Sequence, residues 1–312
     1  MSSPSVSVVI PCFNQGQFLR DAIASARSST LQPEIIVVDD GSTDETAAIA
    51  HSAEATCIRQ ENKGVVAARN SGLQAAHGEF VVFLDADDRL LAGALDTGAA
   101  ALKDDPDCAL AWGRSVMMDE AGSLLATPVS PRVDGDAHAA LLRNNYIWTP
   151  AAAMLRTSVV REVGGFAQGF DAAADYDLYL RVTRNHRARD HGQAVAGYRR
   201  HAANMSGNAV RMLRDTLAVM RGHKPEDPSL IGAWRAGCAM WRDFYGTQVV
   251  EEMRRDLRNG STRRAVGKAL VLARLAPEVF LREARRKLRA ATGGNYRTSP
   301  SATSRGDRNF PR

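Results

Sequence analysis

The feature that most constrains the fold is a set of short apolar segments in the first part of the chain. Residues 6–10, 34–38 and 80–84 are apolar nearly throughout, and segments with helical spacing separate them. One of these, residues 15–28, has Leu19, Ile23 and Ala26 on one face and Asn14 as its predicted N-cap. Apolar strands that alternate with amphipathic helices are typical of a parallel sheet covered on both faces. We therefore predict an α/β fold with a mostly parallel central sheet.

The remainder of the chain has a different pattern. Residues 109–112 and 151–155 are predicted strands, and residues 175–184 are a predicted helix. From residue 209 to about residue 292 the apolar spacing is helical, and residues 293–312 are polar without any period. We predict an α/β domain at residues 1–206, a helical C-terminal extension at 207–292 and a disordered basic tail at 293–312.

Charge is unevenly distributed along the chain. The formal net charge is +5, but residues 251–312 contain 16 Lys or Arg and 6 Asp or Glu, a net charge of +10. This asymmetry predicts an anionic partner for the C-terminal end, either a membrane surface or nucleic acid. The four cysteines are widely spaced, no apolar run has the length of a membrane span, and no secretory pattern opens the chain. We therefore expect a cytoplasmic protein.

Polar residues follow three of the predicted strands. In an open α/β sheet, ligands bind beyond the carboxyl ends of the strands. The two carboxylates of a D-x-D segment project the same way from extended backbone and suit Mg²⁺ or Mn²⁺, although acidic residues at a strand end are also ordinary loop residues. The polar residues are Pro11, Phe13 and Asn14 after the strand predicted at 6–10, Asp39 and Asp40 after the strand at 34–38, and Asp85 and Asp87 after the strand at 80–84, which is the fourth because 57–59 is a predicted short third strand.

A series of motifs occurs in one order between residues 5 and 206. They are VSVVIPCFN at 6–14, IIVVDDGSTD at 35–44, NKG at 62–64 with ARNSG at 68–72, FLDADD at 83–88, GGF at 164–166, ADYDLYLR at 174–181 and YRRH at 198–201. In this order the motifs resemble those of the family 2 glycosyltransferases. The resemblance implies a GT-A fold, a single Rossmann-like domain that binds a nucleotide-sugar, and a metal-dependent transferase of a bacterial cell-surface polysaccharide pathway.

The resemblance also implies roles for particular residues. Asp40 would bind the base of the donor nucleotide, most often uracil, and Asp87 and His201 would contact the Mn²⁺ or Mg²⁺ ion. The remaining donor-site residues would be Pro11, Phe13, Asn14, Gly64, Arg69 and Asp85. For four of the residues a structural role is the alternative: Asp40 in a turn, Phe13 in the core, Arg69 as a solvated helix residue and Gly64 in a plain turn.

Asp175 is the predicted general base. Inverting transfer needs a carboxylate that takes the proton of the acceptor hydroxyl as it attacks the anomeric carbon. Ala174 stands where the family often has a Glu, which leaves the base itself in place. The alternative is that Asp175 caps the helix that runs to Arg184.

The C-terminal helix that follows Pro277 is basic and amphipathic. Leu281, Ala284 and Leu288 share one face, and basic residues cover much of the remainder. Two interpretations are open: peripheral contact with an anionic membrane, or packing against the protein with a solvated charged face. Nucleic acid is not an expected partner, because aromatic residues are sparse here.

Three functional hypotheses follow from the sequence. The first is an inverting glycosyltransferase that moves a sugar, from a UDP-sugar as the expected donor, to a hydroxyl of a growing glycan or lipid-linked acceptor at or near the inner face of the cell membrane. The second is a nucleotidyltransferase that makes sugar nucleotides, which expects a glycine-rich basic loop after the first strand where this chain has Pro11, Cys12 and Phe13. The third is a non-catalytic nucleotide-sugar or membrane-binding protein.

Overall fold

The first half of the central sheet is parallel. The computed structural model describes residues 5–127, 131–202 and 204–291. Its first four strands are β1 (Val6–Cys12), β2 (Glu34–Asp39), β3 (Thr56–Arg59) and β4 (Phe80–Phe83). β1 is buried along its whole length and lies between β2 and β4, so that Val8 pairs with both Ile35 and Val82. The apolar segments of the sequence form this buried part of the sheet because neither face is left to solvent.

Three helices connect these strands: α1 (Gly16–Arg27), α2 (Thr46–Ser52) and α3 (Val65–Ala75). α3 packs directly on β1 because Gly72 has no side chain, and a Cβ atom at Gly72 would lie 2.2 Å from Val9 Cγ1. The prediction that Asn14 caps α1 is wrong. Asn14 has a positive φ of 51°, unlike the extended backbone of most N-caps, and its side chain accepts a hydrogen bond from Thr43 N–H at 2.8 Å.

The second half of the sheet is mixed. β7 (Ala153–Arg156) is antiparallel to β4 and to β6 (Cys108–Met118). β8 (Arg187–Arg199) runs parallel to β6 and pairs with β5 (Arg89–Leu90) at the other edge, which gives the order β3-β2-β1-β4-β7-β6-β8-β5. The predicted α/β class with a mostly parallel sheet is confirmed. The elements are β5 (Arg89–Leu90), α4 (Ala94–Lys103), β6 (Cys108–Met118), α5 (Ala137–Arg143), β7 (Ala153–Arg156), α6 (Thr157–Glu162), α7 (Ala174–Asn185) and β8 (Arg187–Arg199), with 3₁₀ turns at Pro150–Ala152, Asp171–Ala173 and Met205–Gly207.

The later part of the chain is helical, as expected. Its helices are α8 (Ala209–Gly222), α9 (Pro228–Arg258), α10 (Thr262–Leu275) and α11 (Pro277–Ala291). Asn208 and Asp227 cap α8 and α9, each accepting a hydrogen bond from a backbone N–H in the first turn.

The described residues form two compact units. The sheet unit extends to Asn204, apart from the segment Leu142–Asn144, which belongs with the helical unit that starts at Met205. The tail predicted at 293–312 lies outside the described residues. Within the ranges given above, no helix combines the length and the apolar character needed to cross a membrane.

Candidate active site

The segments that follow β1, β2 and β4 meet at one edge of the sheet. Cys12 pairs with Asp39 at the ends of β1 and β2. Leu84 N–H donates to the Val9 carbonyl, so the acidic segment 85–88 leaves the sheet beside the end of β1. Gln15 Nε2 donates to Asp87 Oδ2 at 3.2 Å across this edge. The parallel topology therefore brings three of the predicted site segments together.

His201 reaches the same edge from the end of β8. Its Nε2 atom lies 2.9 Å from Asp87 Oδ2, and Asn204 Nδ2 lies 3.4 Å from that oxygen. Asn204 also accepts from the His201 backbone N–H, which fixes the turn. Burial and the charge of Asp85 raise the pKa of Asp87, and the contact with His201 opposes this rise. The two residues predicted as metal ligands are thus neighbours in space.

Arg199 ties the acidic segment to the surrounding elements. Its backbone N–H donates to Asp88 Oδ1 at 3.0 Å, and its Nε donates to the Asp87 carbonyl at 2.7 Å. The guanidinium pairs with Asp21 on α1 and lies 5.1 Å from the centre of the Phe18 ring. These contacts set the direction of the Asp87 side chain, since they hold the backbone on which it stands.

Arg69 is buried, so the interpretation of a solvated helix residue is wrong. Its Nη2 lies 2.6 Å from Asp85 Oδ1, and its guanidinium lies 5.3 Å from the centre of the Phe166 ring. Asn70 holds the Phe166 backbone with two hydrogen bonds of 2.8 Å, one to its carbonyl and one from its N–H. Gly165 permits this approach: its φ is +68°, and a Cβ there would lie 2.6 Å from Asn70 Oδ1.

Asp175 lies in the first turn of α7. Ala173 is the N-cap of that helix, so the capping interpretation of Asp175 is wrong. Burial is the main cause that raises the pKa of Asp175 to about 6; the charge of Asp85 adds to the rise, and Arg69 and the Tyr176 N–H oppose it. Asp175, Arg69 and Asp85 thus form one electrostatically coupled group. A carboxyl with this pKa can accept a proton near neutral pH.

Asp40 closes a loop at the end of β2. The carboxylate is buried and accepts from Gln60 Nε2 at 2.7 Å, from Lys63 N–H at 2.9 Å and from Gly64 N–H at 2.8 Å. Asp39, the other member of the pair, accepts from the Ser42 N–H in the turn that follows. Asp40 therefore has a structural role of its own, and base recognition by Asp40 stays a prediction.

The other predicted donor-site residues lie around this edge. Pro11 is buried in β1 opposite Val38, whereas the Phe13 side chain is 45% exposed, so the interpretation of Phe13 as a core residue is wrong. Gly64 precedes α3 with φ +86°, a conformation that other residues adopt only with strain. The exposed Phe13 ring is a surface on which a planar base can lie.

The donor atoms at this edge suit Mn²⁺ or Mg²⁺. Asp87 and His201 supply an oxygen and a nitrogen in contact with each other, and Asp85 lies two residues away. Among the described residues, no three His, Cys, Asp or Glu side chains are arranged as a complete metal cage. A divalent ion here would draw its remaining ligands from a diphosphate and water, as such ions commonly do.

The supporting contacts of two residues of the site were not predicted from the sequence. These residues carry no chemistry but hold the residues that do: Thr149 donates from its hydroxyl to the buried Asp88 carboxylate, and Phe166 lies against Arg69. Two motifs of the ordered series contained a signal for such contacts: GGF, which includes Phe166, and YRRH, whose first arginine is Arg199. The pattern alone does not indicate which side chain they contact.

The family is decided by the sequence profile described as Glycosyl transferase family 2, which matches residues 7–164. The chain belongs to glycosyltransferase family 2. Membership favours a transferase over both the nucleotidyltransferase and the non-catalytic hypotheses. A relative of this family 2 enzyme is the GalNAc(5)-diNAcBac-PP-undecaprenol β-1,3-glucosyltransferase of Campylobacter jejuni, 39% identical over 102 residues, which is 30% of this chain and 33% of that protein. The matched part of the chain spans about a quarter to a third of the length of the first curated relatives.

Solved structures with the same fold support the GT-A assignment of the family 2 enzyme. S. aureus TarS 1-349 in complex with UDP-GlcNAc has a TM-score of 0.62 at 18% identity and covers 94% of this chain and 93% of its own. The mannosyltransferase PcManGT from Pyrobaculum calidifontis, in complex with GDP-Man and Mn²⁺, has a TM-score of 0.53 at 15% identity, with 88% and 86% covered. The predicted GT-A fold is confirmed.

Proposed function

We propose that this glycosyltransferase moves a sugar from a UDP-sugar to an acceptor hydroxyl with inversion at the anomeric carbon. The observation that carries the proposal is the grouping of Asp175, Arg69 and Asp85. Asp85 is two positions from Asp87, which contacts His201. A proton acceptor and a site for a leaving diphosphate on one rim of the sheet are what a single displacement requires.

In the proposed step, Asp175 accepts the proton of the acceptor hydroxyl. The hydroxyl oxygen forms a bond to the anomeric carbon, and the bond between that carbon and the β-phosphate oxygen breaks, its electron pair leaving with UDP. Arg69 stabilises the ionised form of Asp175, because its positive charge lowers the pKa of that carboxyl against the effect of burial. Phe166 and Asp85 hold the Arg69 guanidinium in place.

Asp87 and His201 would hold the Mn²⁺ or Mg²⁺ ion, with Asp85 beside them. When bound, the cation offsets the negative charge that the leaving diphosphate gains. The mixed oxygen and nitrogen donors support this assignment, as does the Mn²⁺ in the complex of the structurally similar mannosyltransferase.

The base of the donor is proposed to bind at the ends of β1 and β2. Phe13 offers an exposed ring, Asn14 lies beside it, and Pro11 shapes the strand end. Asp40 and Gly64, which are joined by a 2.8 Å hydrogen bond, would complete the base site at the end of β2. The UDP-GlcNAc complex of S. aureus TarS supports a uridine donor.

The acceptor is proposed to be a growing glycan on a lipid carrier at the inner face of the cell membrane. The name of the Campylobacter jejuni relative includes a glycan linked to undecaprenol, and this supports the acceptor class. An enzyme that elongates such a glycan works next to a membrane, so we propose peripheral membrane contact through the basic C-terminal helices.

A donor screen tests the proposed function. The full chain is incubated with a panel of UDP-, GDP- and TDP-sugars, with and without Mn²⁺, and nucleotide release is measured. We expect release from one or more UDP-sugars that depends on the divalent ion. Release from no nucleotide-sugar, or equal rates after chelation, would contradict the proposal.

A further inference from the structure

An apolar cleft of about 250 Å³ lies between three helices of the helical unit. Its walls are almost wholly apolar. An apolar cavity of about 150 Å³ is already large enough to bind benzene, so this cleft can accommodate a segment of hydrocarbon chain. The walls include Met253 and Leu257 of α9, Val266 and Ala269 of α10, and Phe280 and Ala284 of α11.

The acidic group in the cleft wall is already neutralised. Glu283 accepts from Arg254 Nε at 3.0 Å and from Arg286 Nε at 2.9 Å. The hydrogen bonds from Arg286 and Arg254 lower the pKa of Glu283 to about 2, although burial opposes the shift. Because this carboxylate is satisfied by two guanidinium groups, the cleft favours an apolar occupant over a cationic one.

Exposed apolar side chains stand next to the cleft. Leu270 is 68% exposed on α10, next in sequence to the cleft residue Ala269, and Leu281 is 51% exposed one turn from Ala284 on α11. Val266 lines the cleft and is itself 53% exposed. Neighbouring exposed apolar residues of this kind mark a surface that contacts another body.

Charge selects among the candidate partners. α10 and α11 together contain nine Lys or Arg and two Glu, a net charge of +7. A second copy of this surface would repel it, and residues 292–312 of the chain are also basic, with four Arg and one Asp. Phe280 is the one aromatic residue in the sequence of these two helices, which disfavours stacking with nucleic acid bases. Exposed leucines among basic residues match an anionic lipid surface.

We infer that the cleft and the exposed leucines next to it, Leu270 and Leu281, dock on an anionic phospholipid bilayer. One acyl chain enters the cleft, the exposed leucines insert beside it, and Arg285 and Lys287 contact the headgroups. The inference deepens the proposed function and rests on it for its purpose, since it would keep the enzyme beside a lipid-linked acceptor.

Vesicle flotation of the full chain tests this docking. The probes are vesicles of phosphatidylcholine alone and of phosphatidylcholine with phosphatidylglycerol. We expect flotation with the anionic vesicles, weakened by salt, and a decrease of about tenfold or more in partitioning for Arg285→Glu with Lys287→Glu. Val266→Ser with Leu270→Ser should cause a similar loss. Leu124→Ser, another exposed leucine, and Lys103→Glu, an exposed lysine of the sheet unit, are the matched controls and should float like the wild type.

A phosphatidylglycerol with a photoreactive acyl chain tests entry into the cleft. We expect crosslinks to peptides that contain Met253, Val266 or Phe280, and Ala269→Trp, which fills the cleft, should remove them. Crosslinks confined to other peptides, equal flotation with neutral vesicles, or wild-type flotation of the leucine and charge variants would overturn the inference. Displacement from vesicles by single-stranded RNA, or self-association that Leu270→Ser abolishes, would replace it with a nucleic acid or a second copy.

UDP release measured without vesicles separates this inference from the proposed function. Flotation variants that release UDP at the wild-type rate in solution show that the catalytic site is intact. Flotation with no UDP release from any donor would contradict the proposed function and leave the docking surface standing, whereas UDP release without flotation would contradict only the docking.

Discussion

His201 Nε2 and Asp87 Oδ2 lie 2.9 Å apart, although 114 positions separate the two residues in the chain. The contact joins the segment between β4 and β5 to the turn that follows β8. Asn204 and Gln15 also donate to Asp87 Oδ2. The acidic segment after β4 is therefore a fixed part of a polar centre, and it is the place where we propose that the diphosphate and its cation bind.

Removal of either member of this pair should weaken binding of the divalent ion. We expect Asp87→Asn and His201→Ala each to raise the Mn²⁺ concentration for half-maximal activity by at least about tenfold, because each loses a metal ligand. Titration of UDP release with Mn²⁺ measures this, and His51→Ala, an exposed histidine on α2, is the control. Unchanged Mn²⁺ titrations in both variants would contradict the assignment.

Activity should fall as the pH drops through about 6. Burial raises the pKa of Asp175 to about 6, so the carboxyl is ionised and able to accept a proton above that pH and is protonated below it. Because folding raises this pKa, Asp175 contributes to the free energy of unfolding at low pH, where it is protonated, and the contribution is lost as the pH rises through about 6. Arg69→Gln should move the acidic limb to higher pH, because Arg69 opposes the shift. A pH profile with no acidic limb near 6 would argue against Asp175 as the base.

Asp40→Asn separates base recognition from loop closure. The buried carboxylate accepts three hydrogen bonds, and an amide would turn its NH₂ group toward at least one of those donors. A loss of about 1.5–3 kcal/mol is typical for a hydrogen bond to a charged group, so the thermal midpoint should fall. If Asp40 also reads the base, the preference for UDP over other nucleotides should decrease in competition binding. Uniform weakening for every nucleotide would assign Asp40 to the loop alone.

Gly72→Ala should destabilise the sheet unit. A Cβ at this position would lie 2.2 Å from Val9 Cγ1, so α3 or β1 must shift. We expect a loss of about 1–3 kcal/mol, the usual range for overpacking, measured by denaturant unfolding. Gly267→Ala is the matched control, because nothing lies within 4 Å of its Cβ position on α10, and there we expect a small gain from helix propensity. Equal stability of the two variants would contradict the packing argument.

Sequence periodicity predicted β1, β2 and β4 well because these three strands are almost wholly buried. It did not indicate β8, a 13-residue strand in which charged residues and glycines interrupt the apolar ones. Asn14 illustrates a second limit: the capping pattern was local, whereas its actual partner, Thr43, belongs to another loop. Arg69 illustrates a third, since a lone arginine on a helix gives no sign that Asp85 and Phe166 will surround it. In each case a contact between distant segments decided the outcome.

The most direct test of the central claim is the turnover of Asp175→Asn compared with its donor affinity. Calorimetry with UDP in the presence of Mn²⁺ should give wild-type affinity, because the substitution keeps the size of the side chain. Asp107→Asn, at an exposed site, should retain wild-type turnover and serves as the control. We predict that Asp175→Asn lowers kcat by about 10²-fold to 10⁴-fold, the usual contribution of a general base. Transfer by Asp175→Asn at the wild-type rate would contradict the assignment of Asp175 as the base.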